Sequence, residues 1–252
     1  GPIGNSELIG TVRNVTFKDT IISEPLQGRS DHANTNDHAA GCLISNSGSD
    51  RILFYRCLFT HCNKRAPFQI SGGLGDEAPQ SAMVINSIIL NPRRQAAQAG
   101  AGGTVGPTVT MLNNVVIPGS NTQAYRKGKT SQEFSGFTSP FFVQGSPNSA
   151  ADGINVYLED NRLVNNTHLD DGGTLDGQDG MDYECIIDER RDGPPWHGLE
   201  AVSGSPNSFV SEYNGWISYD DLPERMSSAQ LYTTYNTGNF KTGPRHDIKN
   251  YI

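Results

Sequence analysis

Five stretches of the chain carry the same nine-residue alternation of apolar and polar positions. They are residues 15–23 (VTFKDTIIS), 52–60 (ILFYRCLFT), 82–90 (AMVINSIIL), 109–117 (VTMLNNVVI) and 156–164 (VYLEDNRLV). Their first positions are Val15, Ile52, Ala82, Val109 and Val156, and their third are Phe17, Phe54, Val84, Met111 and Leu158. Apolar residues at a period of two predict a strand with one buried face. The sixth position holds Thr20, Cys57, Ser87, Asn114 and Asn161, and the eighth returns to Ile22, Phe59, Ile89, Val116 and Leu163. A small or polar residue between two apolar pairs predicts a strand, a sharp bend and a second short strand. Side chains stacked at that bend can hydrogen-bond one another and the backbone, satisfying groups that burial strips of water.

No such segment buries its apolar face alone, so the five are expected to stack into a solenoid, with the sixth positions in one row. The intervals between segment starts are 37, 30, 27 and 47 residues, as unequal loops around a fixed unit would give. An ordinary β-sandwich is the competing arrangement. From about Thr167 the pattern fades. Residues 170–192 are acidic and glycine-rich and read as a long surface loop, without the spacing of a helix–loop–helix calcium site. Residues 220–235 are read as holding a short helix.

Composition supports a loop-rich all-β chain, with 28 Gly, 14 Pro and only 35% hydrophobic residues. A formal net charge of −8 argues against nucleic acid held by a basic surface. It leaves acidic polymers open, provided a divalent cation bridges the two. No run of about 18 apolar residues predicts a membrane span, and the opening GPIG has no signal-peptide character. The cysteines Cys42, Cys57, Cys62 and Cys185 lack the paired spacing of a zinc site, and one disulfide or none are both open.

Residues 51–73 (RILFYRCLFTHCNKRAPFQISGG) contain a strand ending in L-F, a polar link and then R-A-P. Upstream, residues 4–20 (GNSELIGTVRNVTFKDT) form a strand pair preceded by an acidic position. They are followed by IISEPL at 21–26 and DHAAGCLIS at 37–45, and the chain closes on GPRHDIKNYI. In order and spacing these stretches resemble the pectate lyase superfamily, in particular a bacterial branch of it. Pattern and resemblance together imply an all-β fold: a right-handed parallel β-helix, a single-stranded solenoid with long loops and a loop-rich C-terminal lobe. Residues 1–166 would form the coils, and residues 167–252 an acidic loop and a C-terminal segment packing on them. The family has further coils before the segment corresponding to Val15. The open end is therefore expected to associate with a preceding segment or with another chain.

The resemblance implies β-elimination on an acidic polysaccharide of the pectate kind, outside the cell or at a cell or virion surface. A base takes the C5 proton and the C4 oxygen leaves, while Ca²⁺ stabilises charge on the neighbouring carboxylate. Arg65 occupies the family's catalytic position. Glu7, with Asp19 or Asp37, would ligate Ca²⁺, with Asp31 a further carboxylate nearby. Lys64, Arg93 and Arg94 would pair with substrate carboxylates, and His38 and His61, with His32 nearby, would contact substrate or move protons. The chain departs from the pattern at Ile3, in the first acidic position, and at Phe68, Gln69 and Ile70, where a second arginine is common. Two other functions compete. One is a non-catalytic carbohydrate-binding β-helix such as a phage tail-fibre or adhesin segment. The other is a hydrolase using the adjacent pairs Asp170–Asp171 or Asp220–Asp221.

Overall fold

The computed structural model describes residues 12–24, 41–44, 49–62, 66–71, 80–93, 97–100, 106–120, 122, 141–144, 154–164, 180–181, 186–188, 212–237, 241–242 and 246–247. Each nine-residue unit forms the predicted strand, bend and strand, and each turn of the chain adds a third strand after its loop. Sheet A contains β1 (Arg13–Lys18), β4 (Asp50–Tyr55), β7 (Ser81–Ile85), β10 (Thr108–Leu112) and β13 (Asn155–Glu159). Sheet B contains β2 (Ile21–Ser23), β5 (Leu58–Thr60), β8 (Ile88–Leu90), β11 (Val115–Ile117) and β14 (Arg162–Leu163), with β15 (Gly180–Met181) antiparallel at its edge. Sheet C contains β3 (Leu43–Ile44), β6 (Gln69–Ser71), β9 (Ala97–Gly100), β12 (Phe141–Gln144) and β16 (Ile186–Asp188). Apart from β15, every pairing in these sheets is parallel and joins consecutive coils, so the chain is a parallel β-helix.

The register is the one the alternation implies. Val15, Ile52, Ala82, Val109 and Val156 pair in sequence, as do Phe17, Phe54, Val84, Met111 and Leu158. From the second coil on these residues are buried in one core, together with Phe59, Ile89, Val116, Phe68 and Ile70. Phe17 keeps 36% of its surface, because among the described residues it has a ring on one side only, Phe54, stacked at 5.0 Å.

The bend is built from two adjacent rows. Asp19, Arg56, Asn86, Asn113 and Asp160 each take a left-handed backbone, with φ between 49° and 56°. Asn and Asp tolerate that region best among non-glycine residues, and they fill four of the five places. The next residue in each coil belongs to the sixth-position row. The Cys57 amide donates to Ser87 Oγ (3.1 Å), the Ser87 amide to Asn114 Oδ1 (2.8 Å), and Asn114 Nδ2 to Asn161 Oδ1 (2.8 Å). Inward-turned amides thus satisfy the backbone where two sheets part company.

The outer faces of sheets A and B depart from the expectation of one buried face per strand. Leu53, Tyr55, Met83, Ile85 and Leu112 point outward from sheet A yet are buried, with Tyr213, Trp216, Ile217 and Leu222 packed against them. Outward residues of sheet B (Leu58, Ile88, Leu90, Val115, Ile117) meet Leu231, Tyr232 and Tyr235. Residues 212–237 therefore form a strap across both faces. Near-continuous apolar runs such as ILFY and AMVI are what a strand covered on both sides requires. The strap ends in α1 (Ser228–Asn236), which starts at a capping box between Ser227 and Gln230. Asp160 fastens it, accepting from the Ser228 amide (2.7 Å) and hydroxyl (2.6 Å). A short antiparallel pair, β17 (Lys241–Thr242) and β18 (His246–Asp247), follows.

Cys42, Cys57 and Cys62 are free thiols, and Cys185 lies outside the described residues. Burial pushes the Cys57 thiol up to about 11 and that of Cys62 to about 12. Since the thiolate is the reactive form, neither should react with an aromatic disulfide at pH 8 until the protein unfolds. Peptide mapping of modified protein checks this. Rapid labelling of Cys57 in the folded state would contradict its place in the core.

Candidate functional site

Two residues of the sequence argument, His61 and Arg93, lie where sheet B turns into the loops leading to sheet C. After each of β2, β5 and β8 the chain turns through one left-handed residue: Glu24 (φ 44°), His61 (57°) and Asn91 (50°). The Glu24 amide donates to Thr60 O (3.1 Å), that of His61 to Leu90 O (3.0 Å) and that of Asn91 to Ile117 O (2.7 Å). The three residues therefore stack, about 4.8 Å apart from coil to coil. His61 Nδ1 lies 2.6 Å from Thr60 Oγ1, which orients the half-buried ring. The Arg93 amide donates to Cys62 O (3.0 Å), tying the loops of the second and third coils together.

Beyond that corner, Ala66 and Pro67 of the R-A-P motif lead into sheet C. Ala66, Pro67 and Phe68 are buried, with a cis peptide bond between Ala66 and Pro67. Phe68 faces Phe54 at 6.1 Å, and its carbonyl accepts from the Gln98 amide (2.9 Å). Ile70 is buried too. Phe68 leads into strand β6, and Phe68 and Ile70 both turn into the core, which is why Phe and Ile stand where the resemblance would put a second arginine.

Of the sequence-predicted residues, His61 and Arg93 come to this corner. Asp19 is placed elsewhere, at the bend between sheets A and B, roughly 10 Å away along a three-residue strand. Both its carboxylate oxygens accept from Arg56, from Nε and from Nη2 at 2.7 Å each. Among the described residues no group of three or more His, Cys, Asp or Glu could hold a metal ion. Glu7, Asp31, His32, Asp37, His38, Lys64, Arg65 and Arg94 lie outside the described residues. Asp220 and Asp221 are exposed on a single 3-10 turn of the strap, which covers the outer face of sheet A. Asp170 and Asp171 lie outside the described residues.

Two residues of these corners carried no weight in the sequence reading. In the sequence pattern Thr60 only closes a strand, although a threonine beside a histidine is a ready partner for the ring. Arg56 occupies Asp19 and stacks at 5.0 Å over Tyr55, and the basic residue at the bend was the available signal. No protein-family model matches the chain, and no curated protein is significantly similar to it.

Proposed function

We propose that the protein is a polysaccharide lyase that cleaves an acidic polyuronate of the pectate or polygalacturonate kind by Ca²⁺-assisted β-elimination, outside the cell or at a cell or virion surface. One observation carries the reading. In a parallel β-helix, Ala66 and Pro67 of the R-A-P motif are buried with Phe68, and they follow in sequence the corner that holds His61 and Arg93.

In this reading Arg65 accepts the C5 proton, the C4–C5 double bond forms, and the bond from C4 to its glycosidic oxygen breaks. A guanidinium is a reluctant base, because it is ordinarily charged. Its alternative contribution is to hold the substrate carboxylate and steady the developing negative charge. Lys64, Arg93 and Arg94 pair with neighbouring uronate carboxylates, and His38 contacts the substrate. Ca²⁺ supplies Lewis-acid stabilisation of the carboxylate next to C5. With Asp19 engaged by Arg56, its protein oxygen ligands fall to Glu7 and Asp37.

The test is to incubate the folded protein with polygalacturonate, with and without Ca²⁺, and follow the ultraviolet absorbance of the unsaturated uronide. The expected result is a rise that depends on Ca²⁺. A rise indifferent to chelation would remove the cation from the scheme and keep the lyase. No rise in any condition, from protein shown to be folded, would replace the lyase with a carbohydrate-binding β-helix. The departures at Ile3, Phe68 and Ile70 would then be its signature.

A further inference from the structure

We infer that residues 224–228 are a releasable latch, held by side chains at the bend between sheets A and B, which closes the strap over the second to fifth coils and opens without unravelling them. The latch does not depend on the lyase reading. Its backbone meets the solenoid at alternate residues, as an extended segment lying on a surface does. In the second coil Tyr55 Oη donates to Glu224 O (2.7 Å). In the third, one side chain takes both backbone groups of one residue: Met226 N donates to Asn86 Oδ1 (2.6 Å), and Asn86 Nδ2 donates to Met226 O (2.7 Å). In the fourth, Asn113 Oδ1 accepts from Arg225 Nη1 (3.3 Å), and in the fifth Asp160 accepts from the Ser228 amide and hydroxyl. Ser227, between the last two backbone contacts, is extended, at φ −62° and ψ 156°.

The bend supplies the receptor. The five left-handed residues that turn the chain from sheet A to sheet B stack from coil to coil, so their side chains form a polar rail along the solenoid. On the first two coils the rail closes on itself, Arg56 donating to Asp19. On the next three its Asn and Asp members hold the latch. The faces on either side of the rail are apolar. A segment seated on it therefore brings Trp216 and Ile217 over sheet A and Leu231 over sheet B.

Separate opening follows from where the bonds lie. The parallel pairings of sheets A, B and C run from coil to coil, and among the described residues no part of 212–237 joins those sheets. Release of the strap therefore breaks side-chain bonds and uncovers Met83, Ile85 and Leu112, but it leaves the ladders between coils intact. Proteins open in cooperative units of this kind, below the free energy of global unfolding. Closure does the reverse. A coil of a solenoid touches only its neighbours, whereas the latch bonds to four successive coils and makes them one block.

Native-state hydrogen exchange on the whole protein tests the latch. The amides of Met226 and Ser228, bonded to Asn86 and Asp160, should exchange well before those of β7 and β10. Asn86→Asp keeps an acceptor and a residue that tolerates the left-handed backbone, but it sets a carboxylate oxygen against Met226 O. Tyr55→Phe removes one hydroxyl and keeps the ring, and so stands in if the first variant fails to fold. Each should speed exchange at the latch by roughly three- to tenfold, the scale of one hydrogen bond. The strand amides should remain the slower set, and binding of a hydrophobic dye should rise with latch exchange. Latch amides that exchange only in step with β7 and β10 would overturn the device and make the strap a fixed part of the solenoid. Latch exchange unchanged in a folded variant would overturn it too, because the rail would then not be what holds the strap.

Discussion

Replacing Arg65 with lysine is expected to lower turnover on polygalacturonate by at least about two orders of magnitude, the scale of a positioned acid–base group. The midpoint of thermal unfolding should stay where it is. Lysine keeps the positive charge, so long-range attraction for a polyanion survives. What it loses is the planar fork that can grip a carboxylate and present a second nitrogen to the neighbouring carbon. KM should therefore move less than kcat, which separates chemistry from simple electrostatic capture.

The stability half of that expectation comes from what surrounds the position. The segment is anchored by Ala66, Pro67 and Phe68, whose side chains are buried, and by the amide of Gln98 on the carbonyl of Phe68. None of these contacts uses the side chain at 65. An Arg65→Lys variant with wild-type turnover would show that the guanidinium is not the base. A variant that no longer folds would show that Arg65 is a structural residue, and the R-A-P resemblance would then carry no chemistry.

How far the sequence foretold this architecture depends on which contacts repeat. Sheets A and B were legible because their two strands and bend form a fixed nine-residue unit. A one-residue slip would turn Phe54 or Met111 out of the core, so the pattern sets the register. Sheet C was not legible. Its strands follow loops of unequal length, and stretches such as Ala97–Gly100 (AQAG) carry little β-propensity of their own. They become strands because the coil above and the coil below already offer paired edges.

The strap was legible only in outline, as a C-terminal segment packing on the coils with a short helix within residues 220–235; the faces it covers were not. Tyr213, Trp216 and Leu231 are scattered through a polar stretch, and no local periodicity announces a segment whose partners lie far away in the chain. The clue was on the other partner, in apolar residues at the outward positions of β4 and β7. At the candidate site, His61 and Arg93 share a corner because they follow equivalent strands of successive coils. Asp19 is a calcium candidate beside Glu7 and Asp37 by residue type alone. Its place in the unit, one before the sixth position, puts it at the other bend, where Arg56 on the next coil takes both its oxygens.

The sixth-position row yields the second large effect, an expected loss of about 3–5 kcal/mol of stability in Asn114→Ala. Asn114 is fully buried, accepts from the Ser87 amide at 2.8 Å, and donates through Nδ2 to Val84 O at 3.0 Å and Asn161 Oδ1 at 2.8 Å. Alanine removes all three bonds and admits no obvious replacement. A buried donor or acceptor left unsatisfied costs roughly 1–3 kcal/mol, and the losses fall on one network and so do not simply add. Thr20→Ala is the control within the same row. Its hydroxyl donates to Lys18 O at 3.0 Å in the more exposed first coil, where substitutions ordinarily change stability by about 0.5 kcal/mol or less. Because each coil of a solenoid is stabilised by its neighbours, the loss at Asn114 should lower the main unfolding transition, not produce a separate early one. Denaturant unfolding of the two variants beside the wild type decides the matter. Equal, small effects at positions 20 and 114 would mean that the ladder merely accompanies the bend, and that side-chain packing alone holds the coils in register.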